Sequence, residues 1–138
     1  MKKVIVISTS LRAGSNSDML ADKFIEGALQ AGHEVEKNLT HRKRYTFLSR
    51  MFMQKVLHAD VIVWATPIYY FEMSGQMKVL IDRMNAMYTL DYQFRDVYML
   101  TVAAEEEPEV PQRAEAGLTG WIDCFPKSRL AGTLFCGG

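Results

Sequence analysis

Three apolar runs limit what this chain can fold into. Val4-Ile5-Val6-Ile7, Val61-Ile62-Val63-Trp64-Ala65 and Val97-Tyr98-Met99-Leu100-Thr101-Val102-Ala103 are near-continuous and rich in β-branched residues. That is the pattern of strands covered on both faces, as in a parallel sheet, rather than of half-solvated antiparallel strands. Helix-length segments separate them. Met19, Leu20, Phe24, Ile25, Ala28 and Leu29 recur at helical spacing until Gly32 offers a stop. Glu34 to Leu39 reads as an edge-like second strand. Leu48, Met51, Phe52, Lys55 and Val56 suggest a second helix closing at His58-Ala59-Asp60. After the third strand, Thr66 to Gly75 reads as a loop, and Ser74 caps a helix bearing Met77, Leu80, Ile81 and Met84. An acidic loop, Glu105 to Glu109, leads from the fourth strand to a helix through Ala114, Leu118, Trp121, Ile122 and Phe125, and Leu130 to Phe135 forms a fifth strand. Alternating strands and helices demand crossover connections, and the expected fold is a doubly wound α/β sheet in one domain, residues 1–138. In such sheets, ligands sit beyond the carboxyl ends of strands where neighbouring connections leave in opposite directions. The loops after strands one, three and four therefore carry the functional question.

Charge and composition exclude several classes. Sixteen basic residues balance sixteen acidic ones, so no overall field attracts nucleic acid or an anionic membrane. The apolar start, Val4 to Ile7, is too short for a signal segment, and no run of about 18 apolar residues occurs, so a cytoplasmic protein is expected. Cys124 and Cys136 form no framework and no C-x-x-C pair, and His33, His41 and His58 share no ligand spacing, so no metal site is expected.

The loop after strand one, Ser8-Thr9-Ser10-Leu11-Arg12-Ala13-Gly14-Ser15-Asn16-Ser17, places hydroxyls, an amide and a guanidinium at the mouth of a helix. The helix N-terminus adds unpaired N–H groups and partial positive charge, which together favour a phosphate. A P-loop lysine and a G-x-G-x-x-G are both lacking, so neither a nucleoside triphosphate nor a dinucleotide fingerprint is supported. The plainer alternative is that Ser15 or Ser17 merely caps the helix. After strand three, Ile68-Tyr69-Tyr70-Phe71 concentrates aromatic residues in a connection, where polar ones are usual. A flat heteroaromatic ring could stack there, or the segment could be a satellite core or a subunit interface.

Taken together, S-x-S-x-R-x-G-S-N-S after the first strand and A-T-P-I-Y-Y-x-x-M-S-G-Q-M-K-x-x-I-D-R after the third resemble the NADPH-dependent FMN reductase group of flavodoxin-like proteins. The similarity continues through Trp121-Ile122-Asp123-Cys124-Phe125. The resemblance implies a five-stranded parallel sheet of order 2-1-3-4-5. It implies that Ser10, Arg12, Ser15, Asn16 and Ser17 hold the phosphate of FMN, that Pro67, Ile68, Tyr69 and Tyr70 border the isoalloxazine, and that Ala103, Ala104 and Glu105 line the third side. NAD(P)H would be the co-substrate, a quinone, free flavin or nitro-aromatic the acceptor, and the protein a homodimer. Two departures stand out: Asn38 to Arg50 is short, basic and free of cysteine, which speaks against an iron–sulfur cluster, and the family's last helix is missing after strand five.

The resemblance implies that a bound flavin would perform the redox chemistry, so no catalytic acid–base pair is expected among the side chains. The basic run His41-Arg42-Lys43-Arg44 and the acidic run Glu105-Glu106-Glu107 read as solvated surface. Two other functions compete: a flavodoxin-like electron carrier, which usually needs a strongly acidic chain, and a shortened, flavin-free interaction module.

Overall fold

The computed structural model describes residues 1–40 and 50–138. The basic run at 41–44 and the expected start of the second helix at Leu48 lie outside them. The elements in chain order are β1 (Lys3–Ser8), α1 (Asn16–Gln30), β2 (Glu34–Leu39), α2 (Arg50–Leu57), β3 (Val61–Tyr69), β4 (Glu72–Met73), α3 (Gly75–Arg83), β5 (Asp96–Val102), α4 (Gln112–Asp123) and β6 (Arg129–Cys136). A 3-10 turn, Met84–Met87, extends α3.

Strands β2-β1-β3-β5-β6 run in that order, all parallel, with β4 attached to β3. This is the expected 2-1-3-4-5 order once the short antiparallel β4 is counted. The unbroken apolar runs became the central strands because both their faces are covered. Val4, Val6, Val61, Val63 and Ala65 point toward α1, where Leu20, Phe24 and Ile25 pack on them. Their alternates Ile5, Ile7, Ile62 and Trp64 point to the other face, under α2, α3 and α4. The period-two side-chain alternation of a strand thus divides one apolar run between two layers. On the second face Trp64 meets Trp121 edge-on at 5.8 Å, and Phe94 stacks on Trp121 at 5.9 Å. Aromatic pairs of this kind contribute about 0.5–1.5 kcal/mol each beyond burial and lock α4 to the sheet.

Connections from β1 and β3 leave in opposite directions, to β2 and to β5, so the switch point lies between β1 and β3. One expectation is corrected at this place. Thr66 to Gly75 is not a loop: β3 runs on through Tyr69, because Thr66 and Pro67 pair in register with Thr101 and Val102 of β5. The chain then turns at once into β4, with Ile68 opposite Met73 and Tyr69 opposite Glu72.

Candidate functional site: a cleft at the switch point

The cleft starts where β1 ends. Thr9 donates from both its N–H and its Oγ1 to the Ala65 carbonyl, each at 2.9 Å, which ties the first loop to β3. Ser10 Oγ accepts from the Arg12 N–H at 3.2 Å. Gly14 turns the chain at φ 67°, a left-handed conformation that costs glycine nothing, and its N–H donates to Asp18 Oδ2 at 3.2 Å. Ser15 is the N-cap of α1: its Oγ accepts from the Asp18 N–H at 3.3 Å and lies 3.2 Å from Ser17 Oγ. The plain capping role is therefore real, but it uses one hydroxyl. Among the described residues, the N–H groups of Asn16 and Ser17 have no hydrogen-bond partner, and the nearly buried Ser10 and Ser17 add hydroxyls beside them. This donor set fits a phosphate monoester.

Asp18 brings a negative charge into the first turn of α1, behind the anion cradle. Burial works to raise its carboxyl, but the Lys37 ammonium beside it and the hydrogen bond from the Gly14 N–H outweigh this and hold it below the ordinary carboxylate value. The Lys37 ammonium lies 2.9 Å from Asp18 Oδ1 and 2.5 Å from Asp22. The negative charge behind the helix mouth is thus matched from β2, and the mouth keeps its positive end.

Pro67, Ile68 and Tyr69, on the extended end of β3, make the opposite wall. Tyr70 and Phe71, at φ 52° and 66°, form the two-residue turn into β4. Turns of this kind want Asn-Gly, because both central residues take positive φ. Here two aromatic residues bear the strain, Tyr70 is 96% exposed, and Arg113 sits 5.9 Å over the Phe71 ring. A strained, solvent-facing aromatic pair gains the fold little, so it points to a role in the cleft. The third side is Val102 to Glu105, after β5, with Val110 beneath.

The resulting cleft has a volume of about 600 Å³, within the usual range for a small-molecule or cofactor site. The structure brings all the residues singled out by sequence into it: Ser10, Arg12, Ser15, Asn16, Ser17, Pro67, Ile68, Tyr69, Tyr70, Ala103, Ala104 and Glu105. Sequence reasoning missed Phe71, Val102, Val110 and Gly138, which also line it. Phe71 had a signal, as the third of three consecutive aromatics. Val110 lay beyond the acidic run and had none.

A hydroxyl and N–H cradle facing an aromatic wall across the switch point of a parallel sheet is the layout of a doubly wound domain with a ligand cleft beyond its strand ends. The chain belongs to the NADPH-dependent FMN reductase family, whose sequence profile matches residues 2–125. It is 31% identical over 97 residues to the Bacillus subtilis (strain 168) protein YwqN, provisionally named an NAD(P)H-dependent FMN-containing oxidoreductase. That match covers 59% of this chain and 51% of YwqN, so the chain spans about half the length of the curated relative it matches. Solved structures share the fold at low identity. An NADH:FMN oxidoreductase, EmoB, in its apo form superposes with a TM-score of 0.83 at 17% identity, over 99% of this chain and 76% of that one. An FMN-dependent NADH-azoreductase of Bacillus anthracis str. Ames Ancestor, solved in complex with FMN, gives 0.72 at 15%, over 100% and 88%. Among the described residues, no helix is long and apolar enough to cross a membrane, and no group of three or more His, Cys, Asp or Glu is placed to hold a metal ion.

Proposed function

We propose that the chain is a single FMN-binding domain of an NAD(P)H-dependent oxidoreductase acting on a quinone, free flavin or nitro-aromatic. One observation carries this reading: a phosphate-type cradle and an aromatic wall face each other across one cleft of about 600 Å³. Ser10, Ser15, Ser17 and the free N–H groups of Asn16 and Ser17 hold the phosphate, with Arg12 at the rim. Pro67, Ile68, Tyr69 and Tyr70 support the ring, and Ala103, Ala104 and Glu105 border it from β5. When bound, FMN supplies two-electron chemistry, taking hydride from a nicotinamide and passing electrons to the acceptor. The residues of this chain bind, orient and shield the reacting rings, which is where proximity lowers the barrier. The exposed tip at Tyr70 and Phe71 supports a homodimer, in which a second copy would cover it, and the nicotinamide requirement suits the cytoplasm. Steady NADPH or NADH oxidation that depends on both added FMN and a quinone tests the activity. A flavin-loaded protein that neither nicotinamide reduces would refute it and favour an electron carrier.

A further inference from the structure

Three buried hydroxyl residues that do not line the cleft join its two halves. Ser74 Oγ lies 3.1 Å from both the carbonyl oxygen and Oγ1 of Thr9, at the root of the phosphate loop. The Ser74 N–H donates to Thr66 Oγ1 at 3.0 Å, and Thr66 Oγ1 donates to the Pro67 carbonyl at 2.9 Å, at the root of the aromatic wall. Thr9 closes the circuit through its two hydrogen bonds to Ala65. Thr9, Thr66 and Ser74 are each at most 1% exposed.

Ser74 is also the N-cap of α3, accepting from the Met77 N–H at 3.2 Å. Capping alone needs only an acceptor. Here the hydroxyl proton goes to Thr9 and the backbone N–H to Thr66, so one buried residue holds three segments. Such fully satisfied buried networks are rigid, and a missing member leaves its partners unpaired.

We infer that Thr9, Thr66 and Ser74 are positioning residues that fix the spacing between the phosphate cradle and the aromatic wall, and so select a ligand whose ring and monophosphate are joined by a linker of one length. The inference rests on the proposed FMN site and deepens it. A ligand anchored at both ends gains from the second anchor only while the two are held at the matching distance. Loosening the clamp therefore weakens FMN, which uses both anchors, and spares riboflavin and inorganic phosphate, which use one each.

The test titrates the wild type, Thr9→Val, Ser74→Ala, the double variant and Ser74→Thr with FMN, riboflavin and inorganic phosphate, and records the melting temperature of each without ligand. Ser74→Ala, which removes both contacts to Thr9, lowers FMN affinity about tenfold; Thr9→Val, which removes the Oγ1 contacts and leaves those of the Thr9 backbone, lowers it about threefold, and the double does little worse than Ser74→Ala because both act on one link. Riboflavin and phosphate change less than about twofold, and Ser74→Thr, which keeps the hydroxyl, retains FMN affinity. FMN and riboflavin falling by a common factor would overturn the inference, since general loosening of the fold does that. So would unchanged FMN affinity in the singles, or losses that add in the double. Thr9→Val leaves the α3 cap intact and carries the test alone should Ser74→Ala not fold. Wild-type protein that binds no FMN would instead refute the proposed function.

Discussion

Replacing Tyr70 and Phe71 by Asn and Gly, the pair a two-residue turn of this kind prefers, should stabilise the protein and weaken its ligand site. Both residues sit at positive φ, 52° and 66°. The left-handed conformation costs a side chain with a bulky Cβ substituent about 1 kcal/mol, so relief at two positions gives about 2 kcal/mol. Against this stands the contact of Arg113 with the half-exposed Phe71 ring, and some lost apolar packing, together about 1 kcal/mol. Tyr70 is 96% exposed and adds almost nothing. The net gain is about 1 kcal/mol, or roughly a 3 °C rise in the melting temperature for a domain of this size. Loss of stacking at the rim should lower FMN affinity or turnover about threefold to tenfold. Thermal melts without ligand and an FMN titration of the same two proteins read both effects. A fall in melting temperature would refute the strain argument. Unchanged affinity and turnover would refute a role for the aromatic tip in the cleft.

Three further outcomes are expected. Arg12→Ala with Asn16→Ala should weaken FMN binding about tenfold or more and riboflavin binding much less, since charge-assisted hydrogen bonds to a phosphate are lost; equal losses by fluorescence titration would count against the cradle. Lys37→Met should move the acid-unfolding midpoint to higher pH. The depressed Asp18 carboxyl contributes stability that is present above its ordinary value of 3.8 and is lost as pH falls through its lower native value, so removing Lys37 narrows that window. A midpoint that stays in place, followed by circular dichroism, would show that the pair adds nothing to acid stability. Gly137→Ala would put a Cβ 2.3 Å from the Glu105 carbonyl oxygen and 2.7 Å from the Glu106 Cα. Backbone must shift, and the Glu105 side of the cleft with it, so both melting temperature and FMN affinity should drop; wild-type values for both would disprove that contact.

Much of the layout was legible because burial on two faces leaves a mark in the residues themselves. Val4 to Ile7 and Val61 to Ala65 read as covered strands, Ser74 marked the start of the helix it caps, and Ser15 was one of two serines, with Ser17, offered as the cap of the first. Hydroxyls and an arginine between a strand and a helix read as an anion cradle from composition alone. What stayed hidden depends on partners distant in sequence. Thr66 and Pro67 look like a loop until Thr101 and Val102 pair with them. The β4 hairpin was masked because its turn carries Tyr70 and Phe71 where Asn-Gly would have signalled it. Val110, in the turn before α4, lines the cleft with no local pattern to mark it. The clamp of Thr9, Thr66 and Ser74 joins residues up to 65 positions apart, and no local pattern encodes such a contact.

The central claim is that this cleft holds FMN by its phosphate and its ring together. Titration of the purified chain with FMN, followed by the visible absorption band and by quenching of flavin fluorescence, tests it most directly. The account predicts saturable one-to-one binding, a perturbed flavin spectrum, and clearly weaker binding of riboflavin. A flavin spectrum unchanged by the protein, with no rise in melting temperature at saturating FMN, would contradict it.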